Sequence, residues 1–383
     1  MALLAQSPPK RMLVSCGEPS GDLYAAELVR ELSSRSPGLQ TFGIGGERLR
    51  AQGTELFADL ADLAVVGLFE VLRHLGRLRS IFRRLLQEAE RRRPDVAVLV
   101  DYAEFNHRLG WRLHALGIPV IYYISPQLWA WRRGRIHGIR RTARRMLVIF
   151  PFEEELYRAA GVPVSFVGHP LVDFVRPQAD RSGFLTEHGL DPARPVVALL
   201  PGSRPAEVDH NLPDLLSSAE RLVEQHPELQ FVLAAAPSLD PEPLRAQLKS
   251  GLVRMVYGRT QEALAAARVA LVASGTATVE TALIGTPMVV VYRLGALTYL
   301  LGRPLVRVPH VAMVNLIAGR RLVPELIQGD FRPARVAAEA SVLVGDTPQR
   351  AQMLSGLAEV RERLGGPGAS ARAACAVLDA LER

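Results

Sequence analysis

Short, mostly apolar runs separated by segments of helical period dominate the chain. In the first half they are Arg11 to Ser15, Val96 to Val100, Val120 to Ile124 and Met146 to Ile149. The rhythm restarts at Val196 to Leu200, Phe231 to Ala234, Val269 to Ala273 and Met288 to Tyr292. Apolar runs without alternation mark strands covered on both faces, as in a parallel sheet with helices on either side. Two such series predict an α/β chain with two doubly wound, Rossmann-like domains facing a cleft. Residues 168–180, GHPLVDFVRPQAD, mix proline with polar positions where a linker belongs. The expected divisions are a domain over 1–170, a domain over 171–335, and C-terminal helices over 336–383 that pack back on the N-terminal domain.

One helical stretch, Leu68 through Leu86, is apolar at helical spacing and rich in arginine elsewhere. Leu68, Leu72 and Leu75 fall on one stripe, with Arg73, Arg77, Arg79, Arg83 and Arg84 between. This is the composition of a basic amphipathic helix on an anionic membrane surface, and equally of a helix packed on a core. The pattern alone leaves both readings open.

Composition narrows the class. With 383 residues, 48% of them hydrophobic and 22% charged, the chain is long enough for two cored domains and is neither disordered nor fibrous. No apolar run approaches the roughly 20 residues of a membrane-spanning helix. The start, MALLAQSPPKR, reads as no secretion signal, so a cytoplasmic location is expected. Cys16 and Cys375 lie at opposite ends, which argues against a disulfide framework or a zinc motif. Basic residues exceed acidic ones, 46 to 39, and only Lys10 and Lys249 are lysines. Arginine in such excess suits phosphate, since its planar fork bonds phosphate oxygens in pairs.

Candidate chemistry gathers where strands end. Gly17-Glu18-Pro19-Ser20-Gly21-Asp22 joins the first strand to a helix, the place where open sheets bind ligands. Gly43-Ile44-Gly45-Gly46 is glycine-rich but lacks the dinucleotide spacing, and no Walker phosphate loop is present. Leu199 to Arg204, LLPGSR, brings Ser203 and Arg204 to a strand end, a combination that fits a diphosphate. Ala273 to Glu280, ASGTATVE, opens a helix with Ser274, Gly275 and Thr276, whose amides suit phosphate, while Glu280 suits ribose hydroxyls. Asp101 and Glu104 in DYAEFN leave a buried strand and are candidates for a general base. His107 and His169 lie near strand ends as rivals, without metal-ligand spacing. Tyr122 to Trp131, dense in aromatics and followed by Arg132, Arg133 and Arg135, suits an acyl chain or sugar beside a phosphate; no nucleic-acid module surrounds it.

Together these segments resemble the bacterial lipid-A-disaccharide synthases. The resemblance rests on SCGEPSGD at 15–22, GIGG at 43–46, ISPQLWAWR at 124–132, FVGHPLVD at 166–173, LLPGSR at 199–204, ASGTATVE at 273–280 and VNLIAGR at 314–320. It implies a GT-B glycosyltransferase that works without a metal or other cofactor. It further implies inverting transfer of 2,3-diacylglucosamine from UDP-2,3-diacylglucosamine to 2,3-diacylglucosamine 1-phosphate, with release of UDP. Residue by residue, the family's catalytic aspartate falls on Glu104, with Asp101 as the alternative base and Glu18 lining the same site. Ser203, Arg204, Ser274, Gly275, Thr276 and Glu280 fall on its UDP loops, and Asn315 near the diphosphate. Ser20, Trp129 and Arg132 are the expected acceptor contacts. Lipid substrates imply peripheral binding to the inner face of the cell membrane through Leu68, Leu72, Leu75, Arg73 and Arg77. No nucleic-acid partner is implied, and a homo-oligomer is left open. The alternatives are a GT-B transferase for another lipid-linked sugar, or a UDP-sugar epimerase of the same architecture.

Overall fold

The computed structural model describes residues 10–60, 68–126, 128, 133–176, 180–248, 251–295 and 309–382; for residues 68–75, 133 and 382 the description is of the main chain. The chain forms two compact units. One comprises Met1–Pro170 with Gly365–Arg383, the other Leu171–Leu364. Of the C-terminal helices, Pro333–Val344 and Pro348–Arg363 therefore belong to the second unit, and Ala369–Glu382 alone returns to the first. That last helix lies against Pro19–Arg35, burying Ala369, Ala373 and Val377.

The first unit holds a parallel sheet of β1 (Arg11–Cys16), β2 (Gln40–Gly45), β3 (Glu55–Asp59), β4 (Val96–Val100), β5 (Val120–Tyr123), β6 (Ala143–Val148) and β7 (Val164–Phe166). Its order is β3-β2-β1-β4-β5-β6-β7. The inner strands are apolar because helices cover both faces: every residue of β4 is at most 1% exposed. The strand order reverses direction between β1 and β4, which pair from Met12 with Val96 to Cys16 with Val100.

The second unit repeats the plan with β8 (Val196–Leu200), β9 (Gln230–Ala235), β10 (Val253–Tyr257), β11 (Val269–Ala273), β12 (Met288–Tyr292) and β13 (Glu325–Ile327). The order is β10-β9-β8-β11-β12-β13, again parallel, with the reversal between β8 and β11.

The helix Leu68–Arg92 settles part of the ambiguity in its pattern. From residue 78 onward its apolar stripe faces the protein: Ile81, Leu85 and Ala89 are buried in the core of the first unit, with Leu78, Phe82 and Leu86 packed against them. This part of the stripe is a core face rather than a lipid face. Arg77, Arg79, Arg83 and Arg84 are exposed on the other side, Arg84 lying 5.2 Å from the centre of the Phe57 ring. The side chains of Leu68, Leu72, Arg73 and Leu75 lie outside the described ones.

Candidate active site

Open α/β sheets bind ligands where the strand order reverses, because the loops there diverge to opposite faces and leave their ends open. In the first unit the two loops at the reversal follow β1 and β4. These are Gly17-Glu18 and Asp101-Tyr102, each leading directly into a helix, Pro19–Arg35 and Ala103–Ala115.

The turn after β4 is unusual. Asp101 and Tyr102 both have left-handed backbones, with φ of 48° and 50°. Such conformations cost on the order of 1–3 kcal/mol each for residues other than glycine. Asn106, 1% exposed, holds the turn: its Nδ2 donates to the carbonyls of Val100 (3.2 Å), Asp101 (2.8 Å) and Ser15 (3.2 Å). Its Oδ1 accepts from the Ser15 hydroxyl at 2.6 Å, so one buried amide joins the ends of β1 and β4. Tyr102 then lies flat over Gly17, where a Cβ would come within 2.3 Å of its ring, and stacks on Phe105 with centroids 5.2 Å apart. Burial, with the nearby Glu18 carboxylate, pushes the Tyr102 phenol up. Glu18, Tyr102 and the 101–104 turn thus form one constellation.

Glu104 stands in the first turn of its helix, with its side chain 49% exposed and Oε1 2.6 Å from Nη2 of Arg135. The pair is too exposed to matter much for stability, typically about 1 kcal/mol or less, but it gives the carboxylate a defined direction. Burial, and next the Arg135 cation, push the neighbouring His107 imidazole down, with Glu104 opposing. Ser20, half-buried, lies on the first turn of Pro19–Arg35. Trp129 and Arg132 lie outside the described residues.

Asp22 has a different task from the loop that carries it. Its buried carboxylate accepts main-chain N–H bonds from Gly46 (2.7 Å), Arg48 (3.1 Å) and Leu49 (3.3 Å), capping the short helix Glu47–Ala51. A carboxylate at a helix N-terminus is favoured by both the unpaired amides and the dipole. The two glycine-rich motifs of the first unit are one structure.

In the second unit the loops at the reversal are Pro201 to Arg204, after β8, and Ser274-Gly275, after β11. Both lead into helices, Pro205–Gln225 and Thr276–Ile284, so amides at both starts face the open end of the sheet. Ser203, Arg204, Gly275 and Thr276 are exposed there. The Ser274 amide is bonded to the Val291 carbonyl at 3.0 Å and its hydroxyl to the Val311 carbonyl at 3.4 Å, which ties this loop to the 310–312 segment. Glu280 is half-buried. Burial pushes its carboxyl up, against the pull of Gln261, whose Nε2 donates to Oε1 at 3.0 Å. Gln261 also accepts the Arg176 amide at 3.2 Å.

Asn315 is held by the protein around it. It is fully buried, and its amide is saturated by the protein: Nδ2 donates to the Val323 carbonyl (3.0 Å) and Glu325 Oε1 (2.7 Å), while Oδ1 accepts from the amides of Leu322 (2.7 Å) and Val323 (2.9 Å). An amide side chain offers two donor hydrogens and two lone pairs, and here all four face groups of the protein. Its contribution is to shape the 310–325 segment beside Ser274.

Several residues at these loops carry roles that the motifs did not announce. Arg135 orients Glu104. Glu207 accepts the Ser203 amide, and Asn211, one helical turn on, donates to the Pro201 carbonyl at 2.9 Å while accepting the Arg293 amide at 3.0 Å. The i, i+4 spacing of Glu207 and Asn211 after LLPGSR was the available signal. Among the described residues no group of three or more His, Cys, Asp or Glu side chains is arranged to hold a metal ion.

The family profile described as lipid-A-disaccharide synthetase matches residues 12–379. A lipid-A-disaccharide synthase of Myxococcus xanthus is 47% identical over 375 residues, covering 97% of this chain and 98% of that protein. One from Koribacter versatilis is 46% identical over 381 residues, covering 97% and 99%. Among solved structures, a UDP-GlcNAc 2-epimerase from Neisseria meningitidis bound to UDP-GlcNAc superposes with a TM-score of 0.68 at 13% identity, covering 96% of this chain and 100% of that one. The glycotransferase of kitacinnamycin gives 0.65 at 19% identity, covering 97% and 99%. At these identities the structural likeness speaks to the fold alone.

Proposed function

Because the chain belongs to the lipid-A-disaccharide synthase family, a family of glycosyltransferases, we propose that it moves 2,3-diacylglucosamine from UDP-2,3-diacylglucosamine to 2,3-diacylglucosamine 1-phosphate, releasing UDP. The observation that carries this reading is the position of the candidate loops: in each sheet they follow the two strands at which the order reverses. In the second unit, Ser203, Arg204 and the start of Thr276–Ile284 would hold the diphosphate, where negative charge grows as the sugar leaves. Glu280 would accept from the ribose hydroxyls. In the first unit, Glu104 would take the proton of the attacking acceptor hydroxyl, with Asp101 and Glu18 close by, and a single displacement would invert the sugar carbon. The reaction as proposed needs no metal or other cofactor.

The test is UDP release by the purified protein from UDP-2,3-diacylglucosamine, with and without acceptor, in buffer containing a chelator. Release that depends on the acceptor and yields a disaccharide supports the proposal. Release without acceptor, or none despite nucleotide binding, rules out these substrates.

The second part of the proposal is contact with an anionic membrane surface through the first two turns of Leu68–Arg92. Leu68, Leu72 and Leu75 continue the apolar stripe there, and arginines flank it. Among the described residues no helix is long and apolar enough to cross a membrane. Co-sedimentation with anionic liposomes should fall when Leu72 and Leu75 are both changed to glutamate; full retention by a folded double variant would remove the idea.

A further inference from the structure

Glu207 closes on the loop that precedes its own helix. Its Oε2 accepts the main-chain N–H of Ser203 at 3.2 Å, and its Oε1 is 3.6 Å from Nη1 of Arg204. The fit is close: Gly202, with φ of 128°, lets the loop fold over the carboxylate, and a Cβ at 202 would come within 2.7 Å of Glu207 Oε2. The loop is held from its far side as well, by Asn211 on the Pro201 carbonyl and by the Ser238 hydroxyl on the Ser203 carbonyl at 2.9 Å. Burial, followed by the adjacent Glu207 carboxylate, pushes the Tyr292 phenol up. One carboxylate therefore engages the two groups, an amide and a guanidinium, that this loop offers to phosphate.

We propose that Glu207 is a positioning residue that stands in for the diphosphate. With the loop empty it holds the Ser203 amide and the Arg204 guanidinium in place. With nucleotide bound it yields them, and its charge then opposes that of the phosphates, keeping UDP loosely held and quick to leave. The inference rests on the reading of the Pro201–Arg204 and Ser274–Thr276 loops as the nucleotide site. It assigns to Glu207 the balance between holding the sugar nucleotide and releasing the product. No bond is made or broken by it.

The discriminating variant is Glu207→Gln, which preserves length and an acceptor for the Ser203 amide while removing the charge. Like charges about 3 Å apart in an exposed loop, screened nearly as in bulk water, repel by an amount equivalent to about a tenfold change in affinity. UDP should therefore bind about tenfold more tightly to Glu207→Gln by calorimetry, while uridine, which lacks phosphate, binds both proteins equally. In steady state the variant should show stronger inhibition by UDP. Equal or weaker UDP binding, or a change shared by uridine, overturns the proposal, because a merely structural role would move both ligands together. A second measurement needs no variant. With carboxyl-labelled glutamate, the wild-type Glu207 resonance should shift on adding UDP and stay in place on adding uridine; a resonance indifferent to UDP also overturns it. Arg204→Gln separates the two layers: it must weaken UDP if this loop is the nucleotide site. If it does not, the site reading fails and this inference falls with it. If it does while Glu207→Gln behaves as wild type, the inference alone fails.

Discussion

Replacing Asn315 with alanine distinguishes a residue that shapes a loop from one that binds a ligand. The amide makes four hydrogen bonds, to Val323 twice, to Leu322 and to Glu325, and all lie within the 315–325 segment. A buried hydrogen bond contributes about 1 kcal/mol net, and more is lost when its partner remains buried without a substitute. Val323 is 1% exposed, so its amide and carbonyl have no easy recourse to water. The sum is about 4 kcal/mol. In a unit of this size that corresponds to a fall of about 8–16 °C in the unfolding temperature of the second unit. Hydrogen exchange localises the effect: the amides of Leu322 and Val323 should lose about a hundredfold or more of their protection, since each 1.4 kcal/mol is a factor of ten. Asn315→Asp sharpens the test. It keeps acceptors for the two amides but sets a second carboxylate against Glu325 Oε1, 2.7 Å away in the native pair, so its destabilisation should deepen as the pH rises through the carboxylate range. The reasoning is refuted if Asn315→Ala melts as wild type, with unchanged exchange at 322 and 323, while UDP affinity collapses. Asn315 would then be a ligand of the diphosphate after all.

Three further outcomes are expected. With Glu104 as the proposed base, Glu104→Gln should lower kcat by about a hundredfold or more and Asp101→Asn by less; the reverse ranking in single-turnover assays would transfer the role to Asp101. Gly17→Ala drives a methyl to within 2.3 Å of the Tyr102 ring and must displace it from Phe105. It should cost about 1–3 kcal/mol of stability along with turnover, and a wild-type kcat would show that the turn tolerates the shift. Burial pushes the His169 imidazole down to about 3, so it is neutral in the fold while the unfolded chain binds a proton below about 6.5. Its stabilising contribution is complete above that value and lost as the pH falls toward about 3. His169→Gln should flatten the dependence of unfolding free energy on pH in that window, and an unchanged slope would be the contrary result.

What could be read from the sequence follows from where each residue's partners are. Strands covered on both faces, such as β4 and β11, need apolar side chains at every position, and their runs stand out in the chain. The edge strands β3, β7, β10 and β13 do not, because water reaches part of them: β10, VRMVY, keeps Val253 and Val256 buried and leaves Arg254 and Tyr257 exposed. The loops at the two sheet reversals were legible because glycine, serine and acidic residues directly follow apolar runs. What those residues do was less so, since it depends on contacts across long sequence distance. Asp22 looked like part of a ligand loop and caps a helix some two dozen residues away.

The arginine excess is the instructive case. Read as composition it pointed to phosphate, yet much of it is structural. Arg181 donates to the carbonyls of Ala266, Pro192 and Arg194, and Arg194 to those of Pro227, Glu228 and Leu229. Arg350, Arg363 and Arg372 likewise terminate main-chain carbonyls at helix ends and turns. The planar fork that suits a phosphate suits converging carbonyls for the same reason, several donors held in one plane. Charge count cannot separate the two uses; the separation is made by what lies opposite the guanidinium. Arg204 differs from these in that its side chain, 64% exposed at the start of a helix, faces a carboxylate rather than carbonyls. A facing carboxylate does not by itself mark a phosphate-binding arginine, since Arg259 faces Glu187 and Arg320 faces Glu359, so the proposal for Arg204 rests on its place in the loop after β8, where Glu207 also engages the Ser203 amide.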